Sequence, residues 1–81
     1  MREVISAKPM EGYKLLVTFD NSEIKSYDMS KKLDGVFELL KNPHNFRAVK
    51  IIYGAPTWYL PNGLEVDLCP DYLYSNSVSS D

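Results

Sequence analysis

The sequence predicts an α+β domain in which a small, mainly antiparallel sheet packs against short helices. Three observations carry that prediction. Residues 13–19 alternate apolar Tyr13, Leu15, Val17 and Phe19 with Lys14, Leu16 and Thr18, the period-two pattern of a half-buried strand. Asn62-Gly63 stands before Leu64, Val66 and Leu68, which alternate with Glu65 and Asp67, and this reads as a hairpin turn feeding a second amphipathic strand. Between them, Leu33, Val36, Phe37 and Leu40 recur at spacings of three and four, as a helix requires. Only residues 30–47 could supply a crossover helix between consecutive strands, so the sheet is expected to be mostly antiparallel.

Taken in order, residues 2–8 form an opening strand ended by Pro9, with a turn through Glu11-Gly12. Asp20-Asn21-Ser22 supplies turn chemistry between strand 13–19 and a returning strand 23–28, because short polar side chains bond nearby backbone and Asn tolerates positive φ. Asp28 or Ser30 is placed to cap a helix, and Gly35 interrupts it at a cost of about 1 kcal/mol relative to Ala, which favours two short pieces as readily as one. Asn42-Pro43 is a fresh start, with Asn as cap and Pro at the first helical position. The run from Ala48 to Tyr53 reads as a strand closed by Gly54-Ala55-Pro56, and Thr57 to Leu60 as another. A type I′ turn at Asn62-Gly63 is expected, then a strand to Leu68 and a short helix opened by Pro70, with Asp71 near its positive end. Residues 75–81 lack periodicity and read as a flexible tail, leaving a single domain over residues 1–74.

At 81 residues the chain is near the size where one core leaves only a few kcal/mol of net stability, and homo-oligomerisation would be a natural supplement. The apolar and charged fractions, 44% and 25%, exclude global disorder. The single cysteine, Cys69, cannot form an internal disulfide, and the N-terminus lacks the order of a secretory signal, so a cytoplasmic setting is expected. No apolar run approaches the roughly 20 residues that span a bilayer, and no membrane role is expected. Charge is unevenly distributed. Residues 1–50 hold all nine Lys and Arg against seven carboxylates, while Glu65, Asp67, Asp71 and Asp81 are the only charged residues beyond them. That acidic third would repel phosphates and suits a basic partner, so direct nucleic-acid binding is not expected; scattered carboxylates on a solvated face are the plainer reading.

Catalytic signals are absent from the sequence. His44 is the only histidine and follows a helix-starting Pro, an exposed first turn; one imidazole does not make a metal site that wants three or four ligands. Cys69 precedes Pro70 at a helix N-terminus, where a thiol pKa falls, yet no base lies nearby and a small partly buried residue or cap is the simpler role. Glu65, Asp67 and Asp71 lack the glycine and dense oxygen spacing of a calcium loop. No cofactor and no catalytic or metal-binding residue is therefore assigned. The aromatics Tyr53, Trp58, Tyr59, Tyr72 and Tyr74 have no interleaved basic residues, which argues against a nucleic-acid stacking platform. Alternation sets Trp58 and Tyr59 on opposite faces, one for a core and one for an interface. Trp58, Tyr59, Glu65 and Asp67 are accordingly the candidate partner-binding residues, an aromatic anchor with a charged rim for a basic protein.

Trp58 to Gly63, then Leu64 to Asp71 and Leu73-Tyr74, resembles the C-terminal signature of the bacterial DUF2442 family: a Trp, an Asn-Gly turn, an Asp-Leu pair, a Pro-Asp and a Leu-Tyr. Leu15 to Asp20 is similar to the family's second strand, Tyr27-Asp28 to the end of its third, and Phe37 to Leu40 with Phe46 to Val49 to its helical middle. Asp20-Asn21-Ser22 departs from the family's Asp-Gly, and Tyr59-Leu60 separates Trp58 from Pro61 where some members run Trp-Pro. The resemblance implies an α+β fold and no known activity. Some members are encoded beside a second small protein in an arrangement like a toxin-antitoxin pair, and some are fused to a helix-turn-helix domain; no such fused domain is expected here, so any DNA contact would come from a partner. A non-enzymatic protein-interaction domain, antitoxin-like within a two-gene module, is the leading expectation; a small-ligand-binding or regulatory sensory domain is the alternative.

Overall fold

The computed structural model describes residues 2–79. The elements run β1 (Val4–Met10), β2 (Lys14–Phe19), β3 (Ile24–Asp28), a 3-10 helix (Gly35–Lys41), α1 (Pro43–Phe46), β4 (Lys50–Ile52), β5 (Ala55–Tyr59), β6 (Glu65–Asp67), α2 (Pro70–Asn76) and β7 (Val78–Ser79). They make two antiparallel sheets, one ordered β1-β2-β3-β7 and one ordered β4-β5-β6. The α+β class and the antiparallel pairing are as the sequence predicts, although the strands divide between two sheets.

Both sheets and the helices share one core. Leu15, Val17 and Phe19 of β2 are fully buried, and they pack with Leu33, Leu40, Phe46, Trp58, Val66, Leu68 and Leu73. This is the burial that the alternation of β2 and β6 demands, since either apolar face would otherwise lie in water.

Several boundaries differ from the sequence reading, each for a local reason. Pro9 does not end β1. It pairs with Leu15 inside the strand, and β1 is an edge strand, where a residue without an N–H is tolerated. Nor does Pro56 close β4. The turn there is Tyr53-Gly54 alone, with φ of 51° and 77°, a two-residue hairpin of the I′ kind. Such a turn makes Ile52 and Ala55 the hydrogen-bonded pair, so Pro56 directs its missing donor away from β4, beyond the last β6 pairing at Thr57–Asp67.

The I′ turn expected at Asn62-Gly63 is a different turn. Only Gly63 has positive φ, 87°, and its N–H closes a β-turn on the Leu60 carbonyl at 3.0 Å. Pro61, with φ set by its ring, fits the second position of an ordinary turn, and the Asn62 Oδ1 accepts the Leu64 N–H at 3.1 Å. Leu64 thus belongs to the turn and is half exposed, while Val66 and Leu68 are buried.

The region from 28 to 41 starts its helix later than expected. The Asp28 Oδ1 accepts the Ser30 N–H at 2.9 Å in a turn rather than a cap, and Gly35, at φ 55°, opens a 3-10 helix. With three residues per turn, Phe37 and Leu40 fall on one line facing the core, while Val36 and Leu39 fall on another and are exposed. Asn42 caps α1 as expected, its side chain accepting the His44 N–H at 3.0 Å.

The segment read as a tail from residue 75 carries structure. α2 continues to Asn76, and Val78–Ser79 pairs with Ser26 and Lys25 of β3. Two residues add a strand too short to show alternation, which is why the pattern did not reveal it. Ser80 and Asp81 lie outside the described residues.

Candidate functional site

The β5–β6 hairpin sorts the four candidate residues onto two faces. Trp58 turns inward and is 1% exposed, opposite Val66. Its Nε1 donates to the Phe46 carbonyl at 2.9 Å, its ring stacks on Phe46 at 6.2 Å, and Phe37 meets it edge-on at 6.4 Å. A residue so enclosed has no surface to offer a partner, and Trp58 leaves the candidate set. Tyr59 turns outward at 55% exposure and pairs directly with Glu65, while Asp67, two residues on, shares that face. Among the described residues the Glu65 and Asp67 carboxylates make no hydrogen bond or ion pair. An aromatic ring beside two unengaged carboxylates is the geometry expected from the alternation.

The other singled-out groups stay apart. His44 is exposed in the first turn of α1. Cys69 is exposed rather than partly buried and stands at the N-cap of α2, the cap position expected, where its carbonyl accepts the Leu73 N–H at 3.0 Å while its side chain makes no cap bond. No three His, Cys, Asp or Glu side chains among the described residues gather as metal ligands would.

A second aromatic grouping escaped the sequence reading. Tyr74 lies edge-on to Phe19 at 5.1 Å, under the Arg2 guanidinium at 3.5 Å from its ring centre and the Lys25 ammonium at 3.9 Å. Its hydroxyl donates to Glu23, which holds the Glu23 carboxyl below its ordinary range and raises the Tyr74 phenol. Beside it, Tyr72 accepts a hydrogen bond from the Tyr27 hydroxyl at 3.2 Å and has the Lys32 ammonium 5.0 Å from its ring. Lys32 lowers the Tyr72 phenol; burial, then the bond to Tyr72, raises Tyr27. The sequence shows these tyrosines without basic neighbours, but the fold supplies Arg2, Lys25 and Lys32 from 40 or more residues away. No local signal encodes that convergence.

The third feature is a cleft of about 320 Å³ between the β1–β2 turn and α1, lined by Pro9, Met10, Glu11, Tyr13, Phe46 and Arg47, among others. Tyr13 forms its wall in an unusual backbone state, φ 62°, which a bulky residue seldom adopts. Three contacts hold it there: its carbonyl accepts the Met29 N–H at 2.8 Å, its hydroxyl donates to the Lys41 carbonyl, and its ring meets Phe46 edge-on at 5.5 Å. The Gly12-Tyr13 pair, with a glycine before an aromatic at a strand start, was the available sequence signal.

Against this geometry, the family model of DUF2442, described as a protein of unknown function, matches residues 4–79. The chain belongs to the DUF2442 family. The match takes in every element from β1 to β7. Comparison with curated proteins and with solved structures finds no match. No helix of this DUF2442 domain, among the described residues, is long and apolar enough to cross a membrane.

Proposed function

We propose that this DUF2442 domain is a non-enzymatic interaction domain that docks a basic protein partner on the outer face of the β5–β6 hairpin. The observation that carries the reading is the register Tyr59–Glu65, which sets a half-exposed ring against a carboxylate, with Asp67 completing an acidic rim. An aromatic centre with a charged border is a common composition of protein interfaces, and rim charges act mainly by steering association. The antitoxin-like role is the specific form of this reading, in which the partner is the product of an adjacent gene and the complex forms in the cytoplasm.

The test co-expresses and co-purifies that product with this chain and measures association at two ionic strengths. Reversing both carboxylates, Glu65→Lys with Asp67→Lys, is expected to slow association about tenfold or more at low salt and to flatten its salt dependence. His44→Ala and Cys69→Ser are expected to leave binding unchanged, as neither belongs to a group that moves protons or holds metal. Binding indifferent to the reversal and to salt would place the interface elsewhere.

A further inference from the structure

Independently of the hairpin face, we propose that the cleft beside Tyr13 binds a small zwitterion with an apolar body, the chemical class of a large apolar α-amino acid. The cleft's volume, about 320 Å³, lies at the lower end of small-ligand pockets. At about 30 Å³ of liquid volume per water-sized group, it has room for on the order of ten heavy atoms.

Its lining sets the chemistry. Pro9, Met10, Tyr13, Pro43 and Phe46 give apolar walls, and two opposite charges, Glu11 and Arg47, line the same cleft. Neither side chain makes an ion pair or hydrogen bond among the described residues, so they do not neutralise each other across the cleft. A simple anion would meet Glu11 and a simple cation would meet Arg47. A zwitterion satisfies both: its carboxylate takes the guanidinium fork, its ammonium takes the Glu11 carboxylate, and its side chain lies against the apolar wall.

Tyr13 makes the wall rigid. A left-handed conformation is unfavourable for a bulky residue and persists only when surrounding contacts over-determine it. Here the Met29 N–H, the Lys41 carbonyl and the Phe46 ring do so, fixing the tyrosine between the β1–β2 turn and α1 before any ligand arrives. A wall that needs no ordering lowers the entropic cost of binding.

Titration calorimetry of the full chain with L-phenylalanine tests this, alongside 3-phenylpropionate, which lacks the ammonium, and phenethylamine, which lacks the carboxylate. Saturable binding of phenylalanine is expected, about tenfold or more tighter than either analogue. Arg47→Gln and Glu11→Gln should each weaken phenylalanine by a similar factor while melting like the parent, since both residues are exposed. The Glu65→Lys, Asp67→Lys variant should bind phenylalanine normally, which separates this site from the partner face. Absence of saturable binding, equal affinity for phenylalanine and 3-phenylpropionate, or unchanged affinity in Arg47→Gln overturns the proposal.

Discussion

Two aromatic clusters in this domain use similar residues for different ends. Around Trp58, the rings of Phe37 and Phe46 close on an indole whose single polar group reaches a backbone carbonyl, and the cluster is sealed from water. Around Tyr72 and Tyr74, phenol rings lie half covered by Arg2, Lys25 and Lys32, and their hydroxyls join Glu23 and Tyr27. The first cluster is held by burial and insensitive to salt; the second is held partly by charge over aromatic faces, which salt screens. Cys69 separates Leu68, part of the first core, from the helix that carries the second, so neighbouring stretches of chain serve both.

The largest effect belongs to the sealed cluster. Trp58→Ala removes the central ring and strands the Phe46 carbonyl, and a loss of about 3–5 kcal/mol in urea unfolding is expected, enough to unfold much of so small a domain. Phe37→Ala should fall below that range, because Phe37 is only partly buried at the edge of the same cluster. Equal losses at the two positions would show that the seal depends on Phe37 as much as on Trp58.

The two clusters were also unequally legible. Alternation along Leu15, Val17 and Phe19, and along Val66 and Leu68, reports burial directly, and the inward turn of one member of the Trp58-Tyr59 pair followed from the same period. Which member turned inward did not, because register depends on the pairing with Val66 and Glu65. The seam of Tyr72 and Tyr74 was invisible for a stronger reason: its cations come from the segment before β1, from β3 and from the loop after it. Composition showed a purely acidic C-terminal third, and the fold then laid basic side chains across it. The cleft lay between these cases. The turn through Glu11-Gly12 was visible, with Tyr13 read as the start of the next strand, but the positive φ at Tyr13 that draws it into the turn, and the approach of α1 carrying Phe46 and Arg47, are tertiary facts. Likewise Tyr53, 99% exposed at φ 51°, sits where a glycine or asparagine would be less strained, and only the pairing of Ile52 with Ala55 shows it to be a turn residue.

That strained tip gives the next effect in size. Tyr53 makes no use of its ring against the fold, so Tyr53→Asn should relieve a left-handed conformation that Asn tolerates better and stabilise the domain by about 1 kcal/mol. Neither aromatic cluster touches this position, so a destabilised Tyr53→Asn protein would reveal a contact made by the exposed ring after all.

The seam responds to salt. Replacing Arg2 and Lys25 together with Gln removes both cations from the Tyr74 ring, and the melting temperature should fall at low ionic strength. The difference from the parent should then shrink as salt rises, because screening weakens in the parent what the variant already lacks. Thermal melts of the two proteins at low and high salt decide it. A deficit independent of salt would mean that the long side chains stabilise Tyr74 by covering its ring, and through the bond the Lys25 ammonium donates to the Tyr74 carbonyl at 3.0 Å, rather than by charge over the ring.

The smallest effect is a pH signature that only the seam contains. Burial raises the Tyr27 phenol above its ordinary value, with the hydrogen bond to Tyr72 adding to it. In the unfolded chain Tyr27 ionises near its ordinary pKa of about 10, whereas in the fold it keeps its proton to higher pH. Protons are therefore bound more tightly by the folded state, and stability from this group is complete below about pH 10 and lost as pH rises beyond it. Tyr27→Phe has no proton to lose, so its alkaline decline in stability should be shallower than the parent's even if its stability at neutral pH is lower for want of the bond to Tyr72. Urea midpoints measured across that alkaline range compare the two slopes. Parallel declines would show that Tyr27 ionises alike in the folded and unfolded chains, and that its burial against Tyr72 opens before the phenol is lost.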